Sequence, residues 1–306
     1  MIGSSNKIKV LVLYIAYPFS IASYFLTALQ KRTDIELKTA GQYTGNWIPW
    51  QGGMTLPMKY VVTPDIPLPQ SMIGQNVPYE MVKAQLGGWV PDLVLNIDAG
   101  CHWSAHPSDG FVATVATDPH CLNYDLPRSY SNAFFNMQKV YSKPGDSYLP
   151  YAYSPEYHYP DENVEKDTDA VLIGMPYPQR VEWVNALRSR GVSVIFENGP
   201  IFDEARQLYN RGRIGLNWSS LDDLNARCYE LCAMKLAPVV NHVTDLSTSG
   251  LNVFEFGNVN DAIDLVVSLR NDTQLRRNSA QRAYESVQGQ TYDARVEQIL
   301  KECGFI

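Results

Sequence analysis

Between Arg213 and Val240 the chain reads RIGLNWSSLDDLNARCYELCAMKLAPVV, and few folds accommodate that run. An apolar strand carrying Ile214 and Leu216 ends at Asn217, and a polar loop follows. A helix then opens with Arg227 and Glu230 near its start, and a second apolar strand begins around Ala237-Pro238. Strand, loop, helix, strand is the unit from which parallel sheets are built, because parallel neighbours need a crossover connection. It sets an acid and a base at the carboxyl end of the strands, the rim where open α/β sheets bind ligands.

The same grammar recurs along the 306 residues, a length that suits two α/β domains. Lys7–Tyr14 (KIKVLVLY) is a continuous apolar run of the kind that forms a strand buried on both faces. Ser20–Lys31 has helical spacing through Ile21, Phe25 and Leu29, with Ser20 as the expected cap, and Ile35–Lys38 reads as a second strand. PDLVLNI (91–97) and FVATVA (111–116) are further buried strands. Between Gln42 and Gln75 the pattern dissolves into Gly, Pro, Trp and Met, a loop too long for simple connection. Its aromatics, Trp47 and Trp50 among them, favour ordered packing, and they offer flat faces on which a sugar or a base could lie. The Pro-, Tyr- and acid-rich segment 151–168 is the expected linker. Strands and helices alternate again from Asp169, and the tail from Thr273 to Glu302 is helical. The pattern predicts two Rossmann-like, doubly wound domains, 1–150 and 169–285, facing a central cleft.

The formal charge is −7, and residues 151–306 carry all of it, with 15 basic against 22 acidic side chains, while residues 1–150 balance at 10 and 10. A nucleic-acid partner normally demands a basic excess, so none is favoured. No apolar run approaches the length of a membrane span. The opening MIGSSNKIKV has no signal-peptide pattern, and five cysteines form no disulfide framework, from which a cytoplasmic location is expected. His102 and His106 stand four apart, but Gly100 and Pro107 make their segment a loop and no third ligand follows, so no metal is expected. Cys228 and Cys232 read as helix packing. The first strand leads into YIAYPFSIAS, which has no glycine, and this counts against a nicotinamide dehydrogenase.

Gly174-Met175-Pro176-Tyr177-Pro178-Gln179-Arg180 places a strand end and a helix start side by side, with Pro178 in the first turn. Backbone N–H groups and the positive dipole end make such a start a diphosphate site, and Arg180 could pair with the phosphates through its planar fork.

Two runs together resemble the C-terminal domain of GT-B glycosyltransferases, especially the CgeB-like, spore-maturation group. One is the Asn217…Arg227…Glu230 run; the other matches that group at Gly174, Tyr177, Pro178 and Arg180. The resemblance implies a GT-B fold whose last turns, 286–306, pack back on the first domain. It implies a transferase that takes a sugar from a nucleotide-sugar donor, with a UDP-sugar expected, and needs neither cofactor nor metal. By the same resemblance Glu230 holds the donor ribose, Arg180 and Arg227 neutralise the diphosphate, and Gly174, Tyr177 and Asn217 line the donor site. Many retaining members carry two glutamates separated by seven residues. Asp222 stands near the first of these positions, eight before Glu230, which leaves the stereochemical outcome open.

An inverting transfer needs a base for the acceptor hydroxyl. Asp98, Asp118 and His120 follow strands of the first half and are the candidates, with Trp47 and Trp50 as acceptor-binding residues. The acceptor itself is not identified. A nucleotide-sugar epimerase of the same fold and a non-catalytic nucleotide-sugar-binding protein remain as alternatives, and DNA bearing a modified base is a less favoured acceptor.

Overall fold

The computed structural model describes residues 7–48, 53–97 and 100–306. Two compact units divide the chain: unit 1 is Met1–Pro150 with Tyr292–Ile306, and unit 2 is Tyr151–Thr291.

Unit 1 carries strands β1 (Ile8–Ala16), β2 (Ile35–Tyr43), β3 (Trp47–Ile48), β4 (Met54–Thr55), β5 (Ile66–Leu68), β6 (Leu93–Ile97), β7 (Phe111–Ala116), β8 (Ala133–Asn136) and β9 (Ser147–Tyr148). Its helices are α1 (Ala22–Gln30), α2 (Tyr79–Lys83) and α3 (Asp125–Tyr130). Seven strands form one parallel sheet in the order β5-β2-β1-β6-β7-β8-β9. Every residue of β1 from Val10 onward is buried, which is why its sequence shows no alternation. Helix α1 starts two residues later than the sequence suggests. The Ser20 hydroxyl still accepts the Ala22 N–H (3.2 Å), so it serves the entry turn without being the cap residue. Strand β2 runs past Lys38 to Tyr43, and Gln42–Gln75 is more regular than its composition implies. It holds the antiparallel strand pair β3–β4, two 3₁₀ turns and β5.

Unit 2 carries β10 (Thr168–Ile173), α4 (Pro178–Ser189), β11 (Val194–Glu197), α5 (Phe202–Arg211), β12 (Gly212–Asn217), α6 (Ala226–Ala233), β13 (Ala237–Asn241), β14 (Phe254–Phe256), α7 (Val259–Asn271) and α8 (Thr273–Ser286). The last helix, α9 (Tyr292–Glu302), belongs to unit 1. Its Tyr292 ring stacks on Tyr24 of α1 at 5.1 Å and meets Phe25 edge-on at 5.0 Å. Arg295 Nε donates to the Pro150 carbonyl at 2.7 Å.

The five parallel strands of unit 2 lie in the order β11-β10-β12-β13-β14. Counted within the unit this is 2-1-3-4-5, so connections reverse direction between β10 and β12. Crossovers leave to opposite faces there and open a crevice at the carboxyl ends of those two strands. Behind β12 an aromatic trio fixes the strand end: Trp183 lies 5.7 Å from Trp218 and 5.1 Å from Phe256, and Trp218 lies 5.3 Å from Phe256. Tilted and edge-on ring pairs of this kind add about 0.5–1.5 kcal/mol each beyond area burial. The segment Tyr151–Asp167 has little regular structure, yet Tyr151, Ala152, Tyr153, Ser154 and His158 are all buried. No helix among the described residues is long and apolar enough to cross a membrane.

Candidate functional site

β10 stops at Ile173, and Gly174 takes φ +148°, a conformation that L side chains rarely adopt. Space is the second constraint on that glycine. A Cβ there would lie 2.5 Å from Arg227 Nη2 and 3.3 Å from Arg180 Nη1, so two guanidinium groups close on the bare Cα. The chain then turns through Tyr177, the extended residue before α4, with Pro178 at the first helical position and no side-chain cap.

Arg180, one turn into α4, is 5% exposed. Its Nε donates to the Trp218 carbonyl (2.8 Å), Nη1 donates to the Met175 carbonyl (3.1 Å), and the group lies over the Tyr177 ring at 4.8 Å. Burial, and after it the neighbouring Arg227 charge, pulls its pKa down to about 10, which still leaves it cationic at neutral pH.

Arg227 enters from the start of α6, beyond the end of β12. Its Nη1 donates to Asn217 Oδ1 (2.9 Å), and it hydrogen-bonds the buried Tyr209 hydroxyl. Burial pushes the Tyr209 pKa up to about 12, against the lowering effect of Arg227 and with a further push from Glu230. Arg227 Nε is buried with no hydrogen-bond partner. Among the described residues neither arginine is ion-paired with a carboxylate, so two like charges sit together with spare donors.

Asn217, buried at the end of β12, joins these parts. Its Oδ1 also receives Asn225 Nδ2 (3.4 Å), and its Nδ2 donates to Cys228 Sγ (3.3 Å). Asn225 spends its side chain on Asn217 and on Ser219 Oγ (2.8 Å), so it makes no side-chain cap for α6. Burial pushes the Cys228 thiol up to about 12 and raises Cys232 as well, which makes both inert packing groups rather than nucleophiles.

Glu230 lies one turn after Arg227 on the same helix face, its side chain 14% exposed, with Oε1 3.7 Å from His158 Nε2. The structure thus brings together Gly174, Tyr177, Arg180, Asn217, Arg227 and Glu230, and adds Tyr209 and His158, which sequence reasoning missed. Tyr209 reads as one more apolar residue of α5, and His158 lies in the segment taken for a linker. Asp222 does not join them. Its carboxylate accepts the Thr244 N–H (2.6 Å) and hydroxyl (2.5 Å), and the Thr244 hydroxyl holds its pKa below the ordinary value.

In unit 1, Asp118 and His120 follow β7. Thr117 donates to Asp118 Oδ2 (2.8 Å), the Asp118 N–H donates to the Tyr124 hydroxyl (3.3 Å), and His120 Nε2 stands 4.0 Å from Asp118 Oδ1. His120 Nδ1 is buried without a partner, and Cys121 adds a thiol whose sulfur lies within 4.8 Å of ligand atoms from both neighbours. His102 is turned inward: its Nδ1 meets Asn96 Nδ2 at 3.1 Å, and burial depresses its pKa to about 4. Its former companion His106 bonds the Pro107 carbonyl instead, at 2.5 Å. Trp47 is 48% exposed on β3. Asp98 and Trp50 lie outside the described residues.

Residues 162–301 match the family described as glycosyl transferase-like. No curated protein matches the chain. Among solved structures, TarM superposes with a TM-score of 0.68 at 9% identity, covering 97% of this chain and 99% of that one. Sucrose-phosphate synthase from Thermosynechococcus elongatus gives 0.64 at 11%, covering 97% and 98%. An α-glucosyltransferase in complex with UDP and a 13-mer DNA containing an HMU base gives 0.60 at 10%, covering 97% and 99%. At such identities the likeness speaks for the fold. The fold is GT-B, and residues 162–301 match the glycosyl transferase-like family within it.

Proposed function

We propose that the chain is a glycosyltransferase that moves a sugar from a nucleoside-diphosphate donor to an acceptor hydroxyl. The observation that carries this reading is the pair Arg180 and Arg227, converging on Gly174 at the switch point of unit 2 with neither ion-paired to a carboxylate among the described residues. Such a pair suits a dianionic diphosphate. In the transfer, the bond between the sugar C1 and the β-phosphate oxygen breaks, and one to the acceptor oxygen forms. The departing nucleoside diphosphate gains negative charge as this happens. Fixed guanidinium groups stabilise that charge more as it grows, which lowers the barrier and not merely the Kd. No metal is needed for that task when two cations are already in place.

Glu230 accepts hydrogen bonds from the donor ribose, and Asn217 keeps Arg227 aimed. A UDP-sugar is the donor we favour, since the α-glucosyltransferase of the same fold was solved with UDP. For the acceptor, the Asp118–His120 pair of unit 1 is the proposed base, the hydroxyl proton passing to His120 while Asp118 steadies the imidazolium. The even charge balance of residues 1–150 gives a DNA acceptor no support, whatever the α-glucosyltransferase was solved with.

A panel of UDP-sugars tests the reading. One of them should release UDP, by hydrolysis alone or by transfer. UDP at a hundredfold excess over Kd should raise stability by about 2.7 kcal/mol. Neither UDP release nor stabilisation by any nucleoside diphosphate would remove the assignment. A donor converted to another sugar nucleotide without UDP release would point to an epimerase.

A further inference from the structure

The segment before β10 looks like a connector, but it makes a tight loop with a histidine at its end. The N–H groups of Tyr157 (3.1 Å) and His158 (2.8 Å) both donate to the Ser154 carbonyl, so the chain turns back on itself over five residues. The imidazole of His158 folds in the same sense, and its Nδ1 receives the Ser154 N–H at 3.1 Å. A backbone N–H can only donate, so Nδ1 must be the acceptor, and the ring proton of the neutral imidazole lies on Nε2. Nε2 is the nitrogen that faces Glu230 Oε1 at 3.7 Å. With its side chain 3% exposed, His158 has almost no access to bulk water. Burial holds its pKa below the ordinary value, Glu230 and Glu156 pull the other way, and Arg206 adds to the lowering. At neutral pH the ring is therefore an uncharged donor aimed at a carboxylate. The gap is longer than a hydrogen bond, as catalytic contacts often are before a ligand closes them.

We propose that His158 is a positioning residue for Glu230: its backbone-fixed tautomer presents Nε2–H to one carboxylate oxygen and leaves the other to accept the ribose hydroxyls of the nucleotide. The proposal rests on the reading of Glu230 as the ribose ligand. The histidine need not touch the nucleotide, and it adds no charge that would compete with the two arginines. It steers the carboxylate through a neutral N–H, so the contact requires no proton transfer between the two side chains.

The test titrates UDP and 2′,3′-dideoxy-UDP into wild type, His158→Phe, His158→Gln and Glu230→Ala. Wild type should favour UDP by about tenfold or more, the loss expected when hydrogen bonds to a charged group go unmade. His158→Phe should lower UDP affinity about tenfold and leave dideoxy-UDP affinity unchanged, removing the preference. His158→Gln, which keeps an N–H donor, should restore most of it. Equal losses for both nucleotides in His158→Phe would mark a structural role and overturn the proposal. So would a preference intact in His158→Phe but absent in Glu230→Ala, and in that case the ribose reading would stand alone. A preference intact in Glu230→Ala would defeat the ribose reading itself, and this proposal with it. Long-range ¹H–¹⁵N spectra of wild type need no variant: an Nε2–H ring supports the proposal, and an Nδ1–H ring contradicts it.

Discussion

The carboxyl ends of β10 and β12 in unit 2 hold their polar groups quite differently from the end of β7 in unit 1. In unit 2 each side chain is tied to backbone or to a buried neighbour: Arg180 to two carbonyls, Arg227 to Asn217, Asn217 to Cys228. What remains unsatisfied is donor capacity, Arg227 Nε above all. After β7, Asp118 and His120 are half-buried, stand 4.0 Å apart, and depend on a loop rather than a helix start. The contrast fits a division of labour. A diphosphate presents one fixed geometry and rewards a rigid, preorganised cradle. Proton removal tolerates a looser pair that tightens when substrate arrives.

The largest effect expected from this contrast lies in unit 1. Asp118→Asn or His120→Ala should lower turnover by about 10²–10⁴-fold, the usual contribution of a general base, with UDP affinity little changed. Steady-state kinetics beside a UDP titration would decide it. Turnover within a few-fold of wild type in both variants would break the comparison, because unit 1 would then have no chemical task at this loop. Gly174→Ala should act the other way, on binding. Its Cβ would press on Arg227 Nη2 from 2.5 Å, and the backbone would be held at φ +148°. Strain of about 1–3 kcal/mol and a displaced guanidinium should together weaken UDP about tenfold or more, as calorimetry would show. Wild-type affinity would mean that the two arginines do not converge where the geometry places them.

The smallest effect belongs to Asp222. Its folded pKa is depressed by the Thr244 hydroxyl, so the contact stabilises the fold above the ordinary carboxylate range and is lost as pH falls through the lowered value. Asp222→Asn should therefore cost about 2–4 °C of melting temperature near neutrality, with the difference from wild type shrinking in acid and UDP affinity unchanged. A loss of UDP affinity would return Asp222 to the donor site.

Local patterns carried much of this into the sequence. The buried strands are visible as continuous apolar runs because parallel sheets are covered on both faces, as β1 is. The rim of unit 2 is visible because the end of β10, Gly174 and the start of α4 at Pro178 fall within six residues. Strand order is not local, and only the fold shows that β10 and β12 are neighbours across the switch point, which is what brings Arg180 to Arg227. His158 was hidden by its composition. Pro, Tyr and acidic neighbours read as exposed connection, whereas Tyr151, Ala152, Tyr153, Ser154 and His158 within them are buried. Asp222 is a different case. Its spacing from Glu230 suggested a shared site, but an exposed loop carries it to Thr244. The stretch 42–75 shows no strand periodicity because β3, β4 and β5 are only two or three residues long.

The central claim is that unit 2 holds a nucleoside diphosphate at the crevice between β10 and β12. A crystal structure of the chain with UDP tests it most directly. The account predicts the diphosphate within hydrogen-bonding distance of Arg180 and Arg227 beside Gly174, and the ribose hydroxyls on Glu230. UDP bound elsewhere, or bound there with its ribose turned away from Glu230 and its phosphates out of reach of both arginines, would contradict it.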